Sequence, residues 1–414
     1  MLFSSLLKTI IKHGALTVVS ADGRTREFGD GKGRRVTVRL HDKSVATEMA
    51  LNPYLKLGEA YVDGRLTIDP PATIYEFLDL LTANLGTRFA GPVFEIYGAL
   101  RRAKRRFDQH NPIGKAQKNV AHHYDLDGGI YDLFLDADKQ YSCAYFARPD
   151  MTLEEAQTAK KRHIAAKLRI EPGMRVLDIG CGWGGMALTL AEEAGAEVVG
   201  VTLSHERPKV ARRRAEERGL AGRVDFRLQD YRTLTENFDR VVSVGMFEHV
   251  GVGHHREYFN RVRELLTDDG VALIHTIGRL DGPGSTNPWI AKYIFPGGYI
   301  PALSEVAGAA ERSGVWMTDV EVLRLHYAET LREWRRRFIE KRETAARIYD
   351  EKFCRMWEFY LAGSETSFRN EGMCVFQMQL ARKIETLPLT RDYMQDEERT
   401  FNAPQQPRRL LAGE

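Results

Sequence analysis

The stretch Met174-Arg-Val-Leu-Asp-Ile-Gly-Cys-Gly-Trp-Gly-Gly185 organises the reading of the whole chain. Residues 175–179 form an apolar run broken only by Asp178, the pattern of a short strand buried in a parallel sheet. Gly180, Gly182, Gly184 and Gly185 then predict a tight turn, and Met186-Ala-Leu-Thr-Leu-Ala-Glu-Glu193 continues as a helix. A glycine turn between strand and helix lets a ligand approach the backbone beside the positive end of that helix. The spacing Gly180-x-Gly182-x-x-Gly185 also fits the dinucleotide fingerprint. Two details count against a dinucleotide. Asp178 precedes the first glycine, and the next strand, Glu197-Val-Val-Gly-Val-Thr-Leu-Ser204, does not end in the carboxylate that a nicotinamide ribose needs. Another nucleotide, or a purely structural turn, stays open on this stretch alone.

Outward from the turn, helix and strand alternate from Met151 onward. Helices are expected at 152–170, 185–194, 205–218 and 258–266, and strands at 175–179, 197–202, 224–228, 238–244 and 270–277. That alternation predicts an α/β fold, a doubly wound parallel sheet with its ligand crevice at the strands' C-terminal ends. Residues 281–301, rich in Gly and Pro, are too long for a simple connection and have the length of a lid or binding loop. Residues 330–384 read as helical, with an aromatic stripe from Trp334 to Phe368 that suits a core or the wall of an apolar channel. Before Met151 lies a smaller α+β unit. Strands are expected at 15–19 and 35–40, and helices at 55–64 and 73–81. Residues 99–120, basic and poor in core residues, read as a connector.

The 414 residues are enough for two domains, and 60 basic against 57 acidic residues leave a net charge of +3, too balanced to imply nucleic-acid binding. Basic clusters at 101–106, 212–214 and 335–337 are solvated helix faces or contacts for anionic phosphate. Four cysteines, Cys143, Cys181, Cys354 and Cys374, show no metal-ligand spacing and suit a reducing cytoplasm. No apolar run is long enough to span a bilayer. The first 19 residues carry Lys8, Lys12 and His13 and so lack a signal peptide's unbroken core. Leu2, Phe3, Leu6, Leu7, Ile10 and Ile11 share one helical face.

Several polar residues fall where an α/β sheet places its chemistry. Glu248 and His249 run out of the fourth strand, His275 interrupts an apolar strand, Tyr327 opens the last helical region, and Cys143 lies just before the helix leading into the sheet. Each also has an ordinary structural reading. A buried cysteine is a small hydrophobe, a lone strand histidine or tyrosine is a core residue, and a loop glutamate is solvated or caps a helix. A Cys/His acyl-transfer pair would need an orienting third group and an oxyanion loop, and neither is evident.

The loop Asp178-Ile-Gly-Cys-Gly-Trp-Gly-Gly185 resembles the S-adenosylmethionine loop of class I methyltransferases. The chain as a whole is similar to the cyclopropane-fatty-acyl-phospholipid synthases, a family that includes the mycolic-acid cyclopropane synthases. The motifs that carry this are His123-Tyr-Asp-Leu126, Gln140-Tyr-Ser-Cys-Ala-Tyr145, Gly200-Val-Thr-Leu-Ser204, Gln229-Asp-Tyr-Arg232, Ser243-Val-Gly-Met-Phe-Glu-His-Val-Gly251, His275-Thr-Ile-Gly278 and Lys292-Tyr-Ile-Phe-Pro-Gly297. Asn287 and Phe146 depart from the pattern of bacterial relatives, which often carry Asp and Trp there.

The resemblance implies an enzyme that transfers a methylene group from S-adenosylmethionine to the cis double bond of an unsaturated phospholipid acyl chain. It implies a bicarbonate ion as base, held by Cys143, Glu248, His275, the backbone of Ile277 and Tyr327, whose four side chains Cys143, Glu248, His275 and Tyr327 are also the catalytic set. The donor site would draw on Tyr141, Ser142, Asp178, Gly180, Gly182, Gly184, Thr202, Leu203, Ser204, Gln229 and Tyr231. Leu57-Gly-Glu-Ala-Tyr-Val-Asp-Gly64 is similar, more loosely, to the N-terminal domain of the phospholipid-acting branch. The implied layout is a lipid-handling domain at 1–98, a basic linker at 99–120, a catalytic domain at 121–395 with helical additions, and a flexible tail at 396–414. A cytoplasmic enzyme, reversibly bound to the inner membrane face, with a homodimer plausible for the family and no nucleic-acid partner, completes the expectation. Simple methylation or methylene formation on the acyl chain would use nearly the same residues.

Overall fold

The computed structural model describes residues 2–86 and 129–402. The first part is an α+β unit of helix α1 (Leu2–Ile10), strands β1 (Ala15–Val19), β2 (Thr25–Phe28) and β3 (Arg35–Leu40), helices α2 (Lys43–Leu51) and α3 (Pro53–Val62), strand β4 (Leu66–Ile68) and helix α4 (Ile74–Leu85). The sheet order is β2-β1-β3-β4. Alternation in β1 and β3 buries Leu16, Val18, Val36, Val38 and Leu40 on one face. Strand β2, Thr25-Arg-Glu-Phe28, buries only Phe28 and carries no apolar pattern to announce it.

The larger part is built on a seven-stranded sheet of β5 (Arg175–Ile179), β6 (Glu197–Thr202), β7 (Val224–Leu228), β8 (Phe238–Val244), β9 (Leu266–Arg279), β10 (Trp316–Leu323) and β11 (Met373–Ala381), in the order β10-β11-β9-β8-β5-β6-β7. Helices α5 (Leu153–Leu168), α6 (Gly185–Glu193), α7 (Arg207–Glu217) and α8 (His255–Leu265) accompany the parallel strands β5 to β9, the doubly wound arrangement. Thr152 starts α5 with a capping box, its side chain and that of Glu155 satisfying each other's backbone N–H groups.

Three expectations are corrected here. The sheet is not wholly parallel, because β11 pairs antiparallel with both β9 and β10. Nor are residues 330–384 wholly helical. Helices α11 (His326–Glu340) and α12 (Glu351–Asn370) follow α9 (Pro288–Tyr293) and α10 (Leu303–Glu311), but residues 373–381 then re-enter the sheet. Strand β11 is buried on both faces from Cys374 onward, so it lacks the period-two alternation that separates strand from helix. A third correction concerns the tail placed at 396–414. It begins inside helix α13 (Asp392–Asn402), which packs on α5, burying Phe401 and bonding Glu398 to His163.

The basic clusters at 212–214 and 335–337 are largely used internally. Arg214 bonds Asp138 and the Trp183 carbonyl, Arg212 the Phe226 carbonyl, Arg335 Glu365, and Arg337 Glu154. The cluster at 101–106, the connector 99–120 and the motif His123–Leu126 lie outside the described residues. Among those described, no helix is long and apolar enough to cross a membrane.

Helix α3 carries the Leu57–Gly64 motif, and it forms a seam with the larger part. Gly58 is needed there, since a Cβ would lie 2.5 Å from the Trp289 ring of α9. Glu59 accepts from Lys292 at 2.7 Å and from the Tyr293 hydroxyl at 2.9 Å. The Tyr61 hydroxyl donates to Glu358 at 2.8 Å, and Lys352 pairs with Asp63 at 2.7 Å, both partners on α12. Ala362 of α12 belongs to the same buried apolar cluster as Leu16, Val38 and Phe77.

Candidate active site

The glycine turn forms as the sequence requires. Gly180 ends β5 with φ +85°, and a Cβ there would stand 2.9 Å from the Met246 Cβ. Its backbone therefore borders a small cavity of about 110 Å³ at the C-terminal ends of the parallel strands, with Thr202, Leu203, Gln229 and Tyr231. Of the expected donor-site residues, Gly182, Gly184, Asp178 and Ser204 do not line this cavity. Gly184 starts α6 and leaves no room for a side chain against Phe226. Asp178 is buried behind the turn, accepting from the Ala187 backbone, and burial pushes its carboxyl up to about 7. Gly182 and Gly184 belong to the turn itself and Asp178 to the strand that enters it, whereas Ser204 follows β6, its backbone N–H donating to the Thr202 hydroxyl at 3.2 Å.

Tyr141 and Ser142 border a second, larger cavity of about 700 Å³. Cys143, Glu248, His275, Ile277 and Tyr327 line it as well, so four separate chain segments converge. The two cavities share Gly245 and His249. His249 is a site residue that sequence reasoning left without a role. Burial depresses its pKa to about 4, leaving a neutral ring where the cavities meet.

Within the larger cavity the polar groups are sparse and specific. The Ile277 backbone N–H donates to Glu248 Oε1 at 2.7 Å, so Ile277 orients the carboxylate. Glu248 Oε2 is buried without a hydrogen-bond partner, and burial pushes the carboxyl up to about 7. His275 Nδ1 meets Gln377 Nε2 at 3.1 Å, whereas its Nε2 is buried and unpartnered. Burial, reinforced by nearby lysines, holds this ring neutral. Two buried polar atoms without partners on residues of one cavity mark a place for a small polar ligand. Glu248 offers an acceptor and neutral His275 a donor, a set that fits a protonated oxyanion such as bicarbonate. Cys143 is 1% exposed and donates to the Ala144 carbonyl at 3.3 Å. Burial raises its pKa, so it is held as a thiol rather than a nucleophilic thiolate. Tyr327 packs against Trp334 and Phe368, with ring centroids 5.7 and 4.9 Å away.

Lysines beneath the site were the least legible part. Lys160 is fully buried and bonds Gln140 Oε1 at 2.6 Å and Ser142 Oγ at 2.8 Å, and burial lowers its pKa to about 8. Lys167, about two turns along the same face of the helix, reaches Gln377 Oε1 at 2.8 Å. A signal existed. Leu153, Ala156, Lys160, Ile164 and Lys167 recur at helical spacing, placing both lysines on the apolar stripe of α5.

Away from these groups the larger cavity is mostly apolar, apart from one mouth lined by Arg279, Asp281, Thr286 and Glu371. It passes Phe295, Trp289 and Tyr360, crosses the α3 seam, and continues among Leu7, Val18, Leu40, Met49 and Phe77 of the N-terminal unit.

Residues 112–378 match the family model described as mycolic acid cyclopropane synthetase, and residues 2–84 match a domain of unknown function. The chain is 40% identical over 331 residues to the cyclopropane-fatty-acyl-phospholipid synthase of Escherichia coli K12, covering 80% of this chain and 84% of that one. It is 35% identical over 380 residues to a probable fatty acid methyltransferase of Pseudomonas putida, covering 89% and 93%. Among solved structures, the mycolic acid cyclopropane synthase CmaA1 complexed with SAH and CTAB superposes with TM-score 0.61 at 34% identity, over 66% of this chain and 100% of that one.

Proposed function

The chain belongs to the mycolic acid cyclopropane synthetase family of S-adenosylmethionine-dependent enzymes, and from that premise we propose that it acts on membrane phospholipid. The reaction is methylene transfer from S-adenosylmethionine to the cis double bond of an unsaturated acyl chain, closing a cyclopropane ring, with bicarbonate held beside Glu248 and His275. The observation that carries this reading is the larger cavity. It is apolar over most of its length, carries Glu248 and His275 with one unpartnered polar atom each, and is joined to the glycine-turn cavity at Gly245 and His249.

A cis alkene is a weak nucleophile, so attack on the sulfonium methyl is mainly a positioning problem. Gly180, Thr202, Leu203, Gln229 and Tyr231 would hold the donor, while the apolar walls align the acyl chain and keep out water that would trap the resulting cation as an alcohol. Bound bicarbonate would supply a weak base for the proton lost from the added methyl group. Glu248 would accept its hydroxyl and neutral His275 would donate to it, with Cys143 and Tyr327 closing the walls and Ile277 fixing the Glu248 carboxylate. Gly182, Gly184 and Asp178 would support the donor loop from behind, and Ser204 the end of β6 beside Thr202.

We divide the chain into a lipid-handling domain at 1–98, a linker at 99–120 and a catalytic domain from 121. The extension of the cavity across the α3 seam supports that role for the first domain. Reversible attachment to the cytoplasmic membrane face, through the N-terminal unit and the basic cluster 101–106, follows from a substrate embedded in a bilayer. Replacing Arg101, Arg102, Arg105 and Arg106 by alanine should weaken sedimentation with anionic vesicles. Equal binding to neutral and anionic vesicles by both proteins defeats the basic-cluster assignment.

A second reading, a methyl-branched or methylene product, is favoured by relatives named a probable fatty acid methyltransferase, at 35% identity, and a tuberculostearic acid methyltransferase, at 33%. Cyclopropane and methylene products are isomers, so proton NMR of acyl chains from protein incubated with unsaturated phospholipid decides between them. Purified Glu248→Ala should lose most methylene transfer while still binding S-adenosylmethionine. Near-normal turnover in that variant sinks the assignment of Glu248.

A further inference from the structure

His275 of β9 stands directly opposite Gln377 of β11 in the antiparallel register, which puts both side chains on one face of the sheet. Behind Gln377 lies Lys167. All three are buried, at 2%, 0% and 1% exposure. The Lys167 ammonium has only donors to offer, so at 2.8 Å it must face the Gln377 carbonyl oxygen. That choice turns the Gln377 amide NH2 toward His275 Nδ1, 3.1 Å away. An amide NH2 only donates, so Nδ1 must be the nitrogen without a proton. A neutral imidazole then carries its proton on Nε2, the atom that has no partner. Lys167 is in turn held by Glu321, which also bonds His163, so the ammonium cannot swing away without leaving a carboxylate half-paired.

We propose that Gln377, locked by Lys167, is a positioning residue that fixes His275 as an Nε2–H donor toward the cavity. This rests on the reading of His275 as part of the bicarbonate site and deepens it. With His275 donor-only and Glu248 accepting, the site selects an anion that presents one bare oxygen and one hydroxyl. Oxyanions without a proton, such as nitrate, satisfy only His275. Gln377 reaches no substrate and acts entirely through the histidine ring.

The test is ¹⁵N NMR of ring nitrogens in histidine-labelled full-length protein, with His275 assigned by comparison with His275→Asn. In the parent protein His275 Nε2 should show the protonated shift and Nδ1 the unprotonated one. Gln377→Glu keeps the size and the Lys167 bond but offers Nδ1 an acceptor, so the two shifts should exchange. Lys167→Met frees the amide to rotate, and both tautomers should appear. In the same proteins, half-saturating bicarbonate for methylene transfer should rise at least tenfold in Gln377→Glu, while S-adenosylmethionine affinity moves less than twofold. A parent His275 protonated on Nδ1, or a Gln377→Glu spectrum identical to the parent's, overturns the positioning role. The predicted exchange of shifts without any bicarbonate dependence of turnover in the parent leaves the tautomer assignment standing and defeats the bicarbonate reading instead. The parent spectrum alone decides the tautomer if a variant does not fold.

Discussion

A buried carboxyl held for function should weaken the fold in a pH-dependent way, and Glu248 allows the effect to be sized. Its pKa is raised by burial from the ordinary 4.5 to about 7. Below the ordinary value both folded and unfolded chains carry the proton, and Glu248 costs nothing. As pH rises toward the folded value the unfolded chain releases its proton while the folded chain keeps it, so stability is lost across that window and no further above it. Each pH unit is worth about 1.4 kcal/mol, which makes the whole penalty roughly 3 kcal/mol and the part accruing above about pH 5.5 close to 2 kcal/mol. Glu248→Gln keeps an oxygen for the Ile277 N–H at 2.7 Å and does not ionise. Thermal unfolding of the two proteins in bicarbonate-free buffers should therefore show the variant more stable by a margin that widens from about pH 5.5 to about pH 8, a gain of a few degrees in Tm. A margin independent of pH, or one that shrinks as pH rises, refutes the idea that an uncompensated buried carboxyl sits at this position.

Three further outcomes follow from geometry. Gly58→Ala drives a Cβ to 2.5 Å from Trp289, and such overpacking costs about 1–3 kcal/mol; Tm should fall and methylene transfer drop at least several-fold, with donor affinity measured by calorimetry unchanged. Gly180→Ala meets Met246 at 2.9 Å and strains a backbone at φ +85°, so calorimetry should find S-adenosylmethionine binding weakened about tenfold or more. Burial opposes the charge on His163, but bonds to Glu321 and Glu398 outweigh it and raise its pKa above 6.5. Its latch on α13 should hold below that pH and loosen as pH rises through the raised value. Hydrogen-exchange protection of residues 392–402 should fall accordingly, and Glu398→Gln should remove that pH dependence.

Strands β5 to β8 matched their expected bounds because each is a short run, apolar or, in β7, alternating, that begins or ends at a turn signal. Glu248, His275, Tyr327 and Cys143 were legible as polar or reactive types in apolar surroundings near strand ends. What brings them together was not. Strand β11 hides in a run with no alternation, and without it Gln377 has no reason to stand beside His275. Lys160 and Lys167 looked like ordinary charged positions of α5, because a sequence shows spacing but not which stripe is covered. The Leu57–Gly64 motif was visible, but its purpose depends on Trp289, Lys292 and Tyr293 arriving from more than two hundred residues away. Local signals specified the elements; the long-range pairings that make the cavity are invisible to periodicity.

Charge explains why the two cavities meet at neutral residues. On the proposed reading the donor brings a sulfonium to the junction and the acyl chain briefly becomes a cation there. A protonated side chain about 4 Å from either would oppose it by about 4 kcal/mol at an effective dielectric near 20, a rate loss of close to a thousandfold. His249 lies at that junction, and its pKa near 4 keeps it uncharged at any working pH. The His275 ring is neutral for the same reason, burial. The lysines that the fold does bury here face away into partners, Lys160 into Gln140 and Ser142, Lys167 into Gln377 and Glu321. Their positive charge thus orients polar side chains from behind, while Glu248, next in sequence to the shared His249, lines the larger cavity and can carry only negative charge.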